Sequence, residues 1–446
     1  MIEVIMGALI LALATFAIFN GLEGAQATGR MNKERSVSST LAQQDIERLR
    51  AYPITSLSNY RQTRTVDVAG VGYTVDSRSD WVVDSTGVVS CTTDAAPPQY
   101  MKLTSIVRSP ASVNRPVREV SLLTPAPGAF SGTAGTVAVK VTKRNGSPHV
   151  GVGVQLSGPG SYTSTTNEFG CAIFGMIPSG NYDVDVPGYV GWGGEGFADG
   201  QVAVVAAKTS LKQMEVELPA SLTARFQVPS GVPADWGSAA LSNAITVANA
   251  KLPGGLKEFT AASAVTSINA TGLFPFLDGY GVYAGTCRAN NPAFWQSTYF
   301  QPGGPGHAAL DPGDFLKPVN VDMGALRVTV RTSSNTVFGA TWPARVTVRL
   351  GDTGDTRTGC AANTLVQNVP AVTDHVDFIL PMGTYRVCVS GSNSFGGTVR
   401  NKQTATTASS GIPAHPRMAP TTALYQPLTM SLPSSGSNGA CSTSAT

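Results

Sequence analysis

From Val4 to Phe19 the chain carries no charge and no proline, and with Met1 and Ile2 in front the run is long enough to fill about 30 Å of hydrocarbon as a helix. Glu3 interrupts its outer turn. Small residues Gly7, Ala8, Ala12, Gly21 and Gly24 sit where they permit close approach of a second helix. From Gly29 to Arg50 the pattern stays helix-compatible but turns polar, with Val37, Leu41, Ile46 and Leu49 forming one apolar stripe. Tyr52-Pro53 stops the helix, because proline disfavours helical geometry in the residue before it and lacks an amide donor. The pattern predicts one helix over residues 1–52, about 76 Å long, with an apolar half at 1–19 and an amphipathic half at 29–52.

After Pro53 the period changes from helical to alternating. Residues 53–124 read as a small β-domain, with Val66, Val68 and Tyr73 alternating and further strands at Met101 to Val107 and Val117 to Leu123. Residues 125–136 form a Pro/Gly/Ser linker. Three modules follow, at 137–219, 220–322 and 323–433, before a Ser/Gly-rich tail at 434–446. Each module contains a glycine turn leading into Tyr-x-Val: Gly180-Asn181-Tyr182-Asp183-Val184, Gly279-Tyr280-Gly281-Val282 and Gly383-Thr384-Tyr385-Arg386-Val387. The spacing of these tyrosines, 98 and 105 residues, is the length of a seven-strand sandwich. Tyr and Val two apart point to the same face of a strand, so one side of each is set for burial.

Composition narrows the class. Only 13% of residues are charged while Gly (48) and Pro (29) are plentiful, which suits short strands and turns on a protein working outside the cell. A net charge of +3 shows no basic domain or stripe, and no nucleic acid partner is expected. Cys91, Cys171, Cys287, Cys360, Cys388 and Cys441 are even in number and lack C-x-x-C spacing, as oxidised staples of an exported protein do. Six cysteines allow 15 connectivities. The expected pair is Cys360 with Cys388, inside one module, leaving Cys91 with Cys171 and Cys287 with Cys441 to tie neighbouring domains.

Catalytic and metal chemistry are not expected. There is no phosphate loop, nucleophile elbow or H-E-x-x-H helix, and His149, His307, His375 and His415 lie far apart. Asp311, Asp314, Asp352 and Asp355 lie in glycine loops but supply too few oxygens for calcium, so they read as solvated turns and no cofactor is expected. Asn145-Gly146-Ser147 and Asn269-Ala270-Thr271 match the glycan acceptor and equally fit simple turns. Trp192, Trp236, Trp295 and Tyr299 are candidates for an adhesive patch, with core packing the better reading. Leu432-Pro433-Ser434-Ser435-Gly436 is similar to a sortase signal, but no apolar span and basic end follow it, so wall anchoring is not expected.

Glu3, the apolar block Val4 to Phe19 and the polar continuation Leu41 to Arg50 together resemble the N-terminus of type IV pilins and pseudopilins. In that family the glutamate is the fifth mature residue, so the resemblance implies either that a leader and two mature residues precede Met1, the favoured reading, or that the spacing between the terminal amine and the glutamate differs here. It also implies an α+β fold: a long N-terminal helix packed through Val37, Leu41, Ile46 and Leu49 on a small pilin-type β-sheet, here followed by about three mainly antiparallel β-sandwich modules. Implied partners are copies of the same chain, the type IV assembly machinery and its prepilin peptidase, the cytoplasmic membrane before assembly, and a surface or host receptor. In the filament, Val4, Ile5, Gly7, Ala8, Leu11, Ala12, Phe16 and Phe19 would pack the core, while Glu3 and the amine at Met1 of a neighbour would pair and set register. The first module, through Thr165 to Phe174 and its Pro-x-Gly-x-Tyr-x-Val element, is similar to carboxypeptidase regulatory-like or transthyretin-like sandwiches, a structural family without catalytic residues. The expected function is a structural filament subunit at the cell surface. The alternatives are a low-copy minor pilin carrying a tip adhesin and a single-pass surface protein with a binding ectodomain.

Overall fold

The computed structural model describes residues 2–57, 60–82, 91, 100–110, 115–124, 133–192, 200–233, 242–331, 344–350, 364–368, 374–391, 400–405, 408, 414 and 416–432. They divide into two compact units, Met1–Pro187 with Gly196–Val216 and Gly188–Glu195 with Glu217–Thr446.

The first unit opens with helix α1 (Ile2–Arg50), a single element without a break. A 3-10 turn follows, and then an antiparallel meander of β1 (Arg61–Val68), β2 (Val71–Val82), β3 (Tyr100–Arg108) and β4 (Val117–Leu123), in that order across the sheet. Alternation along β2 sends Tyr73, Val75, Ser77, Ser79 and Trp81 inward and leaves Thr74, Asp76, Arg78 and Asp80 on the outer face. Leu41 and Ala42 of α1 pack with Tyr73, Val75 and Val107, while Ile46 and Leu49 join Leu57, Trp81, Met101 and Leu103.

A two-sheet sandwich completes this unit. One sheet places β5 (Ala134–Thr142) between β8 (Cys171–Pro178), antiparallel, and β12 (Thr209–Glu217), parallel. The other places β6 (Gly153–Ser157) between β7 (Ser161–Thr165) and β9 (Gly180–Asp185), with β11 (Gln201–Val204) beyond β9. The short β10 (Val190–Gly191) clusters with the second unit. β5 and β8 are buried almost continuously because their outer face, through Ala138, Cys171 and Ile173, joins the cluster beneath α1. Trp81 fits there because Gly175 lacks a side chain: a Cβ would lie 2.3 Å from the indole nitrogen.

The second unit holds two further sandwiches with the same plan. In one, β13 (Ala220–Gln227) lies between antiparallel β16 (Ser267–Leu273) and parallel β19 (Lys317–Asp322). Its facing sheet is built on β14 (Ser242–Ala248), β15 (Leu256–Val265), β17 (Tyr280–Ala284) and β18 (His307–Ala308). In the other, β20 (Gly324–Arg331) lies between antiparallel β23 (His375–Leu380) and parallel β27 (Tyr425–Ser431). It faces β21 (Ala344–Leu350), β22 (Thr364–Asn368), β24 (Gly383–Gly391) and β25 (Arg400–Gln403), with β26 (Arg417–Met418) paired on β24. In all three sandwiches the first strand pairs in parallel with the last, and the repeated tyrosine falls on the equivalent strand, β9, β17 or β24. Its hydroxyl donates to a backbone carbonyl upstream: Tyr182 to Pro178 (3.1 Å), Tyr280 to Phe274 (2.6 Å) and Tyr385 to Pro381 (2.7 Å). Burial raises the pKa of each of these phenols.

The expected α+β class is corrected. The described residues form 27 strands in seven sheets and a single α-helix, which is a mainly β protein. The physical reason lies in composition: beyond Pro53 glycine and proline recur too often for a second helix of ordinary length, and the extended runs between them satisfy their backbone groups in sheets.

Candidate functional site

The chemistry of this chain concentrates on α1 and the sheet beneath it. The 3.6-residue period puts Ser38, Leu41, Ala42, Asp45, Ile46 and Leu49 on one face, and all six are buried. Val37 is half-buried at the edge of the same cluster. Four of the expected helix-to-head residues, Val37, Leu41, Ile46 and Leu49, therefore meet the sheet, Leu49 with no exposed surface.

Asp45 was not singled out by the sequence pattern and lies at the centre. Its side chain is fully buried and faces Arg48 at 2.8 Å and Arg64 of β1 at 3.3 Å. Ser77 of β2 donates to its second oxygen at 2.6 Å. Arg48 continues outward, donating to Gln62 at 2.8 Å and to the Tyr60 hydroxyl at 3.4 Å. Burial pushes the Asp45 carboxyl up, but the hydrogen bond from Ser77, with the hydrogen bond and charge of Arg48, outweighs it and holds the group below the usual carboxylate range. An ionised, multiply bonded carboxylate under the helix fixes its rotation and axial position on the sheet. The signal was present: Asp45 sits four residues from both Leu41 and Leu49, inside the apolar stripe.

The other half of α1 looks different. Glu3, Met6, Gly7, Leu11 and Thr15 are all exposed, Met6 by 59% and Leu11 by 68%. Met1 and the side chains of Val4, Ile5, Ala8, Ala12, Phe16 and Phe19 lie outside the described residues. Among the described residues, no helix is long and apolar enough to cross a membrane.

Cys91 and Cys171 are bonded, with Cα atoms 5.8 Å apart, and tie the segment between β2 and β3 to the start of β8. Cys287 and Cys388 are each disulfide-bonded. Both remaining expected pairs include a residue outside the described ones, Cys360 or Cys441. Among the described residues no group of three or more His, Cys, Asp or Glu could hold a metal ion. The Asp314 carboxylate is instead satisfied by the Asp311 amide at 2.8 Å and Lys317 at 2.9 Å. His307 contacts the Asp278 carbonyl, His375 contacts Asp374, and His415, Asp352 and Asp355 lie outside the described residues. Of the candidate adhesive aromatics, Tyr299 is buried, Trp295 is half-buried beneath Arg417, Trp192 is half-exposed, and Trp236 lies outside the described residues.

No protein-family model matches the chain, and no curated protein matches it. Among solved structures it is similar to the Bacillus anthracis TIE protein at 12% identity and a TM-score of 0.19, over 84% of this chain and 75% of that one. It is similar to BcpA, the major pilin subunit of Bacillus cereus, at 12% identity and a TM-score of 0.20, over 68% and 99%. SpaD, a full-length major pilin from Corynebacterium diphtheriae, matches at 9% identity and a TM-score of 0.18, over 68% and 98%. Likeness this slight carries no argument about function.

Proposed function

We propose that this chain is a structural subunit of an extracellular filament, assembled through α1 in the manner of a type IV pilin, with its β-sandwiches displayed outward. The carrying observation is the division of α1: its second half is buried against its own sheet, while Glu3, Met6, Gly7 and Leu11 in its first half are exposed on a segment uncharged from Val4 to Phe19. An apolar helical surface left exposed, as at Met6 and Leu11, is stabilised by burial elsewhere, at about 25 cal/mol per Å² removed from water. Copies of the same helix supply such burial, and Gly7, Ala8 and Ala12 allow the close approach it needs.

Glu3 is the residue that sets register in this reading. A carboxylate buried in a helical bundle is stabilised only by a partner, and the terminal amine of an adjacent copy is the partner such a bundle brings near. Glu3→Ala is expected to leave a stable, folded protein that fails to enter filaments, read by electron microscopy and immunoblotting of sheared surface material. Normal filament yield from this variant overturns the register role.

A further inference from the structure

The outer face of the β1 to β4 sheet, opposite α1, carries an uncommon arrangement of charge. Arg78 on β2 stands across from Thr104 on β3, Asp80 across from Lys102, and Ile106 across from Arg118 on β4. These side chains share one face, with neighbouring strands about 4.8 Å apart. Asp80 is engaged by Arg61, and Asp76 by Arg108. The side chains of Arg78, Lys102 and Arg118 make no hydrogen bond or ion pair among the described residues.

These three cations line a shallow, open recess of about 30 Å³, with the buried Thr104 among its lining residues. Its other wall is the turn Asn167-Glu168-Phe169 between β7 and β8. That turn is held firmly. The Asn167 side-chain oxygen Oδ1 accepts from the amides of Phe169 and Cys171, Lys140 donates to the Phe169 carbonyl, and Cys171 is bonded to Cys91. Gly170 closes it at φ +69, where a Cβ would meet the Val141 carbonyl at 2.4 Å. The wall is thus preorganised, and Phe169 shows 36% of its surface at the rim.

We propose that this recess binds an acidic sugar, a carboxylated or sulfated unit of a polysaccharide. Guanidinium groups match carboxylate and sulfate in two-pronged geometry. The Phe169 ring offers an apolar surface to sugar C–H groups. Glu168 also lines the recess and makes no hydrogen bond or ion pair among the described residues. A carboxylate there disfavours a bare inorganic anion but accepts hydrogen bonds from sugar hydroxyls, so the set of groups fits a ligand that is both anionic and hydroxylated. The inference is independent of whether the chain polymerises.

Calorimetric titration of the full chain at low salt tests it, using a galacturonate tetrasaccharide, a sulfated chondroitin tetrasaccharide, neutral cellotetraose and inorganic sulfate. The acidic tetrasaccharides are expected to bind and cellotetraose is not. Arg78→Ala with Arg118→Ala should weaken binding by about tenfold or more, as loss of charge-assisted hydrogen bonds does. Glu168→Ala should weaken the acidic sugars several-fold while strengthening inorganic sulfate. Arg118 and Glu168 are exposed and Arg78 is half-buried, and an unchanged thermal midpoint confirms that the variants fold. The proposal is overturned if the double variant binds as the parent does, or if sulfate binds as well as the sugars and Glu168→Ala affects both alike. It is also overturned if no tetrasaccharide binds and the double variant loses self-association in sedimentation, which would make the recess a contact between copies.

Discussion

The two halves of α1 share one unbroken backbone and differ in what covers them. Between Ser38 and Leu49 the helix is sealed against β2 and β3 by aliphatic side chains and one ionised carboxylate. Between Glu3 and Thr15 the described positions face solvent. An isolated helix gains little from propensity alone, so its stability comes from whatever its apolar face packs on. The second half finds that surface inside its own chain. The first half shows no such surface at its described positions, and the proposed assembly role rests on this asymmetry.

The comparison breaks most visibly at Leu49. Leu49→Ala removes a fully buried side chain from the cluster holding Trp81 and Met101 and should cost about 3 kcal/mol, read as a lowered denaturant midpoint of the first unit. An effect of a few tenths would mean that the helix is not fastened there.

Asp45→Asn comes next, at about 2 kcal/mol, because it leaves Arg48 and Arg64 beside a neutral amide that cannot match their charge. The same residue sets an acid dependence. Its folded pKa lies below its unfolded value of about 3.9, so its contribution is complete above that pH and is lost as pH falls through the lower folded value. Thermal melts should therefore show the parent losing stability below about pH 4 more steeply than Asp45→Asn.

Ser38→Ala works in the opposite direction. The Ser38 hydroxyl is buried with no hydrogen-bond partner among the described residues, so removing it should be neutral or stabilise the unit by up to about 1 kcal/mol. Smallest of all is Leu11→Ser, which should leave the melting curve of the unassembled chain unchanged, since the side chain is 68% exposed there, while reducing filament yield. Equal loss of stability at Leu11 and Leu49 would erase the distinction between the halves.

Much of the local order was legible. Leu41, Ile46 and Leu49 announce a buried helical face by their spacing, and Tyr182, Tyr280 and Tyr385 mark equivalent strands of three sandwiches because glycine turns and alternation are local devices. The class is not legible in the same way, because one conspicuous helix dominates the pattern while the mainly β fold is built from many short, ordinary strands. The role of Asp45 is invisible to local pattern because its partners, Arg64 and Ser77, lie 19 and 32 residues away. Cys91 with Cys171, expected as a tie between neighbouring domains, is bonded in the structure with Cα atoms 5.8 Å apart.

By itself, then, the order of residues determined where the helix ends, which faces of helix and strands are apolar, and how often the sandwich recurs. These depend on φ/ψ preference and on periods of 3.6 and 2. Only the tertiary structure decided which half of α1 is covered, which charges meet beneath it, and that Arg78, Lys102 and Arg118 border one recess with a turn some 50 residues further on. Those outcomes rest on strand register and domain packing, where a shift of one residue turns every side chain to the other face.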